Sequence, residues 1–471
     1  MSRAAGISDI PQEILGVILD SLGPDSWKAC SLISNHFRNA CQKRLFSKIS
    51  FAEFDFNNYH TAEALETAKL QSLLDVLESS HRLADCVRLL DVRFHRCQEN
   101  DALPTRLFHR CFPLLVNLEQ FDVEVFGPPL DLSALVELNY DAVLPKMRQI
   151  YLRDFSVFPA RFLAQFPNLQ FLDLVQVGFG EIDEQDEIVG KSNAGSDNLE
   201  RPKPRVWRVK PGKPVDIQNF FMAALKDVRF SQQVVSSNLT ALTLDCWEHC
   251  RGHEEHEWVQ PHQAFYDFLV ACSGTLERLH VAFNWHHLGA LTRLTKDAPV
   301  PFKRLEEIYF NIPVAWETFP VRDDDSEGPS NDIVIAPWLK QLASLTSLKT
   351  FYLQMNLLGS VIGNVEFARL PIIDTLLDLQ SHWLTLPSLP FIHLALSLRG
   401  DPIQDRDRTY VEDRLSRMMD TGKFQVCAWG EPHDVDEAWA YGNHECRKPY
   451  FYRPLQRGLS IGIPYTREEV A

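Results

Sequence analysis

Residues 167–174 read Pro167-Asn168-Leu169-Gln170-Phe171-Leu172-Asp173-Leu174, and the spacing of these leucines decides the fold. Leu172 and Leu174 lie two apart, the period at which strand side chains return to one face. Leu169, three residues earlier, seats the turn that feeds the strand. The same apolar-x-x-apolar-x-apolar pattern is carried by Val87, Leu90 and Val92, by Leu118, Phe121 and Val123, and by Met147, Ile150 and Leu152. After a gap it returns at Leu239, Leu242 and Leu244, and at Leu276, Leu279 and Val281. Further copies stand at Leu305, Ile308 and Phe310, and at Leu348, Phe351 and Leu353; a weaker one is read at Phe391, Leu394 and Leu396. Asn117, Asn168 and Asn238 each precede a first-position Leu.

Between the copies lie amphipathic stretches suited to helices, at 103–115, 130–143, 159–166, 217–228, 263–272 and 336–345. One strand-plus-helix unit cannot bury its own apolar face, so neighbours must stack into a continuous core. The expected fold class is therefore α/β, a leucine-rich-repeat-like solenoid over residues 52–400. The five spacings between first positions from 87 to 169 and from 239 to 305 run from 22 to 37 residues, longer and less regular than the roughly 20–29 usual for this class. The copies are degenerate, and the Asn or Cys usual after the strand is mostly missing. A loop insertion is expected at 180–215, where an acidic Gly/Ser/Asn-rich half precedes the basic run RPKPRVWRVKPGK of 201–213. A shorter acidic loop, 321–331, contains Asp323, Asp324, Asp325 and Glu327. From about Asp401 the pattern fades into a charged helix at 405–420, a last strand at 424–429 and an aromatic tail, so 401–471 reads as a capping region.

The start of the chain, 7–51, has a different period: ISDIPQEILGVILDSLGPDSWKACSLISNHFRNACQKRLFSKISF. Ser8 and Asp9 are candidate caps of a first helix with Pro11 in its first turn. Ile10, Ile14, Ile18 and Leu22 recur every four residues, and Leu15 and Leu19 widen the stripe. Gly23-Pro24 ends that helix. Asp25 or Ser26 then caps a second, with Trp27, Leu32 and Ile33, and Asn35 caps a third bearing Phe37, Cys41 and Leu45. So small a unit buries little surface alone. Pattern leaves two readings open, a cap packed on the following domain or a docking module for a partner's helices.

The order of these features resembles an F-box. It has an Ile10-Pro11-Gln12-Glu13-Ile14-Leu15 opening, then Ile18 and Leu22, a Trp27/Leu32 helix, Ser34-x-x-Phe37-Arg38, and Leu45-Phe46 before Ile49. The family more often has Leu where Ile10 stands. The resemblance implies a three-helix F-box over 1–51 that binds the Skp-type adaptor of cullin–RING ubiquitin ligases. The matching positions are Pro11, Ile14, Leu15, Ile18, Leu22, Trp27, Leu32, Phe37 and Phe46. With the repeats, the chain is similar to F-box/leucine-rich-repeat proteins of a divergent kind common in fungi. That implies a substrate receptor with no catalytic residue and no cofactor, whose solenoid holds a target protein for ubiquitin transfer. The alternative, from another class, is a leucine-rich-repeat scaffold whose N-terminal helices only cap the solenoid.

Composition fits either. The chain has 471 residues and is 45% hydrophobic, enough for a sizeable core. It has no run of about 18 apolar residues, so no membrane span is expected. The ten cysteines are scattered without a Cys-x-x-Cys pair, and the opening residues show no signal-peptide apolar region. Reduced thiols and a cytoplasmic and/or nuclear setting are expected. A net charge of −16 disfavours nucleic acid and anionic membranes as partners. The basic run 201–213 has the composition of a nucleic-acid contact or localisation signal, but an exposed loop is the preferred reading.

One cluster invites a metal. Residues 246–262, CWEHCRGHEEHEWVQPH, hold the weak zinc candidates Cys246, His249, Cys250 and His253, spaced four apart in pairs. The spacing matches no recognised zinc module, and a polar loop is the expectation. Phosphate-loop, dinucleotide and nucleophile-elbow motifs are absent. Target specificity is expected in strand residues between the apolar positions, such as Glu119, Gln120, Asp122 and Glu124, or Arg148, Gln149, Tyr151 and Arg153. Their mixed chemistry names no ligand.

Overall fold

The computed structural model describes residues 10–50, 59–95, 106–126, 130–131, 146–158, 163, 166, 168–179, 205–210, 214–226, 239–245, 259–282, 300–315, 345–358, 377, 379–386, 388–398, 401–402 and 405–428. The chain divides into two units, 1–180 and 181–471.

The first unit opens with helices α1 (Gln12–Asp20), α2 (Pro24–Cys30) and α3 (Asn35–Leu45), and then enters strand β1 (Lys48–Ser50). Helices α4 (Tyr59–Ser79) and α5 (His81–Ala84) lead to β2 (Leu89–His95). Next come β3 (Gln120–Phe126), β4 (Leu130–Asp131), β5 (Gln149–Phe158) and β6 (Phe171–Phe179). The strands lie in chain order, β1-β2-β3-β5-β6, and every pairing is parallel; β4 adds to β5. The repeat explains this order. Leu90 and Val92 register with Phe121 and Val123, those with Ile150 and Leu152, and those with Leu172 and Leu174. All eight are fully buried, and burying each such side chain contributes about 1.5–3 kcal/mol.

A backbone ladder locks the register one step before each strand. The Ser47 carbonyl accepts from the amides of Arg88 and Leu89, both at 2.9 Å, and the Arg88 carbonyl accepts from Glu119 and Gln120 at 2.8 and 3.0 Å. Glu119 does the same for Arg148 and Gln149, and Arg148 for Gln170 and Phe171. The turn before β3 is a π-helical and 3-10 segment, 107–114, whose Phe108 and Phe112 meet Phe121 edge-on.

The second unit runs β7 (Arg205–Lys210), α6 (Pro214–Lys226), β8 (Leu239–Asp245), α7 (Val259–Cys272), β9 (Arg278–Ala282), β10 (Glu307–Ala315), β11 (Thr350–Leu358) and β12 (Phe391–Leu398). A short β13 (Asp401–Pro402), helices α8 (Asp405–Arg414) and α9 (Ser416–Met419), and β14 (Phe424–Ala428) follow. Strands β7 to β12 again pair parallel in chain order; β14 joins β12 parallel and β13 joins it antiparallel. Trp207 of β7 lies under both helices, 5.8 Å from Phe220 of α6 and 5.9 Å from Phe268 of α7.

The structure corrects several expectations. Residues 205–210 of the expected loop form a strand, because Trp207 and Val209 register with Leu242 and Leu244 and are buried. The loop composition came from flanking prolines and from Arg208 and Lys210, which lie on the other face. Residues 130–131 are strand, where a helix was expected to begin. The last copy is displaced by two residues: Ile392 and Leu394 register with Phe351 and Leu353, while Phe391 is 47% exposed. Strand pairing also begins earlier than residue 52, since Ile49 registers with Leu90. The charged helix at 405–420 breaks at Leu415. The acidic loop 321–331 and most of the tail lie outside the described residues, as do helix stretches 336–344 and most of 159–166.

Candidate functional site

Helix α1 is apolar on two sides, and only one of them is covered. At 100° per residue, Leu15, Leu19 and Leu22 fall on one side, and Ile14, Ile18 and Val17 on another. Leu15 and Leu19 are fully buried and pack with Phe37, Ala40 and Cys41 of α3; Ile10, Leu22, Trp27 and Cys30 close over this small core. Ile14, Val17 and Ile18 stay in solvent, with Val17 72% exposed. Leu32 and Ile33, in the turn after α2, are exposed as well, Leu32 to 79%. Among the described residues, eight large hydrophobic side chains are exposed, and these five lie between residues 14 and 33. Scattered surface leucines need no explanation, but such concentration in one small helical unit does.

Polar anchors hold the three helices in place. The Ser34 side chain caps α3 by accepting from the Phe37 amide at 3.3 Å, the role expected of Asn35. Pro11 is the residue before α1 and Gly23 the residue before α2, so neither the Asp25 nor the Ser26 side chain caps. The Trp27 indole donates to the Leu19 carbonyl at 2.6 Å, closing the end of α1 onto α2. Arg44 of α3 reaches across to α1, donating to the Gly16 carbonyl at 2.9 Å and to Asp20 at 2.7 Å. Burial pushes the Cys41 thiol above its ordinary range, with the Cys30 thiol adding to it. The unit is tied to the sheet by the β1–β2 pairing and to α5 by Arg82, which donates to Gln42 at 2.8 Å and to Asn39.

The nine sequence-predicted positions therefore divide. Pro11, Ile14, Ile18 and Leu32 are exposed; Leu22, Trp27 and Phe46 are half-buried; Leu15 and Phe37 are buried and shape the unit from inside. Val17, one turn from Ile14 and beside Ile18, is the exposed residue that reasoning by four-residue recurrence missed. Its i, i+3 spacing was the available signal.

Elsewhere the predicted chemistry is less concentrated. Cys246, His249, Cys250 and His253 lie outside the described residues; among the described ones, no group of three His, Cys, Asp or Glu is placed to hold a metal ion. No helix among them is long and apolar enough to cross a membrane. Asp122, Gln149 and Tyr151 of the expected specificity face are buried, and Arg93 and Arg153 flank Glu124 at 3.6 and 3.7 Å. No curated protein matches the chain. F-box domains bind Skp-type adaptors, F-box proteins are typically non-catalytic, and it is the F-box domain that residues 7–48 match, the span of the three helices and their exposed face.

Proposed function

We propose that this chain is the substrate receptor of a Skp–cullin–F-box type ubiquitin ligase, working in the cytoplasm, the nucleus or both. The carrying observation is the exposed aliphatic face of α1 and the α2–α3 turn within an F-box. Ile14, Val17, Ile18, Leu32 and Ile33 contact the adaptor directly, with Pro11 at the rim. Leu22, Trp27 and Phe46 support that face, and Leu15 and Phe37 fix its shape. The parallel strands of each unit, one per repeat and with apolar residues in register, are stretches of a degenerate leucine-rich-repeat solenoid. That solenoid presents a target protein. The chain's contribution to ubiquitin transfer is proximity, holding target lysines near a loaded carrier on another subunit.

The scaffold reading has one observation in its favour: the β1–β2 pairing and the bonds from Arg82 of α5 make the helices a physical cap on the strands of the first unit. Capping leaves the outer face of α1 uncovered, which is why the receptor reading is preferred. The test is co-expression with a Skp-type adaptor followed by affinity purification. Stoichiometric recovery of the adaptor and of cullin supports the receptor, while a folded chain that recovers neither leaves only the scaffold.

A further inference from the structure

The second unit has a cleft of about 560 Å³ at the leading ends of its later strands. Its charged lining is Lys303, Arg304 and Glu306 before β10, Lys349 before β11, and Lys423 before β14; Phe391 of β12 adds an aromatic lip. The strand register sets these charges in a row. The Glu306 carbonyl accepts from the amides of Lys349 and Thr350 at 2.7 and 3.0 Å, the Lys349 carbonyl from Phe391 at 2.8 Å, and the Lys423 carbonyl from Ile392 at 2.8 Å.

The positive charge is only partly answered. Lys349 pairs with Glu306 at 2.6 Å, and Arg304 pairs with Glu277. Lys423 spends one of its three N–H donors on the Leu389 carbonyl, at 2.8 Å. Lys303 finds no side-chain partner among the described residues. Among the described residues, four cations thus face two carboxylates, in a chain whose net charge is −16. Solubility does not call for a local positive excess around a concavity; anion recognition does.

We propose that this cleft binds an extended acidic peptide. Lys349 and Lys423 lie two strands apart, roughly 10 Å at the spacing of a sheet; on a peptide extended as polyproline II, side chains three residues apart share one face and span roughly 9 Å. Each then meets one anionic group by a charge-assisted hydrogen bond, with an apolar neighbour against Phe391. The anion is a carboxylate or a phosphoryl group. A long nucleic acid is disfavoured by Glu277, Glu306 and the charge of the whole chain. That the peptide belongs to a protein destined for ubiquitin transfer rests on the receptor reading; that the cleft binds it does not.

The experiment titrates fluorescein-labelled Gly/Ser decapeptides into the full-length chain. One carries two Asp three residues apart, a second has phosphoserines there, and a third has Asn. Both acidic peptides should bind, more weakly as salt rises, and the Asn peptide should not. The double variant Lys303→Glu/Lys423→Glu, changed only at exposed surface positions, should keep its urea midpoint and its adaptor recovery yet lose about tenfold or more in affinity. Tighter binding of the phosphopeptide assigns a phosphoryl ligand, and equal binding assigns carboxylates; both support the cleft. Acidic and Asn peptides binding alike, an unchanged affinity in the folded variant, or tighter binding of a single-stranded oligonucleotide of equal charge would overturn it. Adaptor recovery is scored separately, so a failed cleft and a failed receptor reading are told apart.

Discussion

Ile14 and Leu15 are neighbours in sequence with opposite duties, and their variants should separate binding from stability. Leu15 sits in the core with Phe37 and Cys41. Leu15→Ala should cost about 2–5 kcal/mol in urea unfolding of the helical region, through lost burial and the cavity left behind. Ile14 is 55% exposed, so Ile14→Asp should leave stability within about 0.5 kcal/mol while abolishing adaptor recovery. If Ile14→Asp unfolds the region, or binds the adaptor normally, the assigned face is wrong. Arg44 offers a second check. Its guanidinium satisfies the Gly16 carbonyl and holds Asp20 across two helices. Arg44→Ala should destabilise by about 1–3 kcal/mol, and Lys should rescue only part, since an ammonium lacks the planar fork.

At the scale of elements, strands were legible wherever two apolar residues two apart followed a third, because parallel strands buried in a stack need that spacing whatever their other residues. They were illegible where the first position was disguised. Three residues before Trp207 the sequence has Pro204, whose company reads as loop; three before Ile49 it has Phe46, which also ends α3. In the last copy the exposed Phe391 drew the pattern two residues away from Ile392 and Leu394. The exposed apolar face of α1 was half legible. The period of α1 showed an apolar helix, but which of its two stripes meets the core depends on where α3 packs, and that is tertiary information. Equally hidden is the bend shared by β5 and β6, where Asp154 and Gln176 hold φ of 62° and 54°. These neighbouring residues sit where Phe155 and Val177 resume the register, so both strands turn together. A β-branched side chain tolerates that backbone worst. Gln176→Val should therefore be less stable than Gln176→Gly by about 1–2 kcal/mol, measured by thermal unfolding; equal stability would mean the bend is not retained.

For the molecule as a whole, acid should act on the two units in different pH windows. In the second unit, His280 is fully buried between neighbouring strands and stacks edge-on with Tyr309 at 4.0 Å. Burial, helped by the Arg208 guanidinium, holds its pKa well below the ordinary 6.5. The folded imidazole stays neutral while the unfolded one takes up a proton, so the unfolded state binds more protons below about pH 6.5. Stability is then full above that pH and falls as pH drops, by up to about 1.4 kcal/mol per unit until the folded pKa is reached. In the first unit the sensitive groups are carboxylates. Arg106 donates to Glu78 and Asp75 and holds both below their ordinary range. Their contribution is present above the unfolded carboxylate pKa, near 4, and is lost only as pH falls through the lowered values. Between pH 6.5 and 5 the second unit should weaken while the first holds. Amide hydrogen exchange at pH 7.5, 6 and 5, corrected for intrinsic rates, should show protection falling in β8 to β10 but not in β2 to β5. His280→Gln should flatten that dependence even if it lowers stability at every pH, because the slope reports the proton and not the packing. A steep slope retained in that variant would place the titrating group elsewhere.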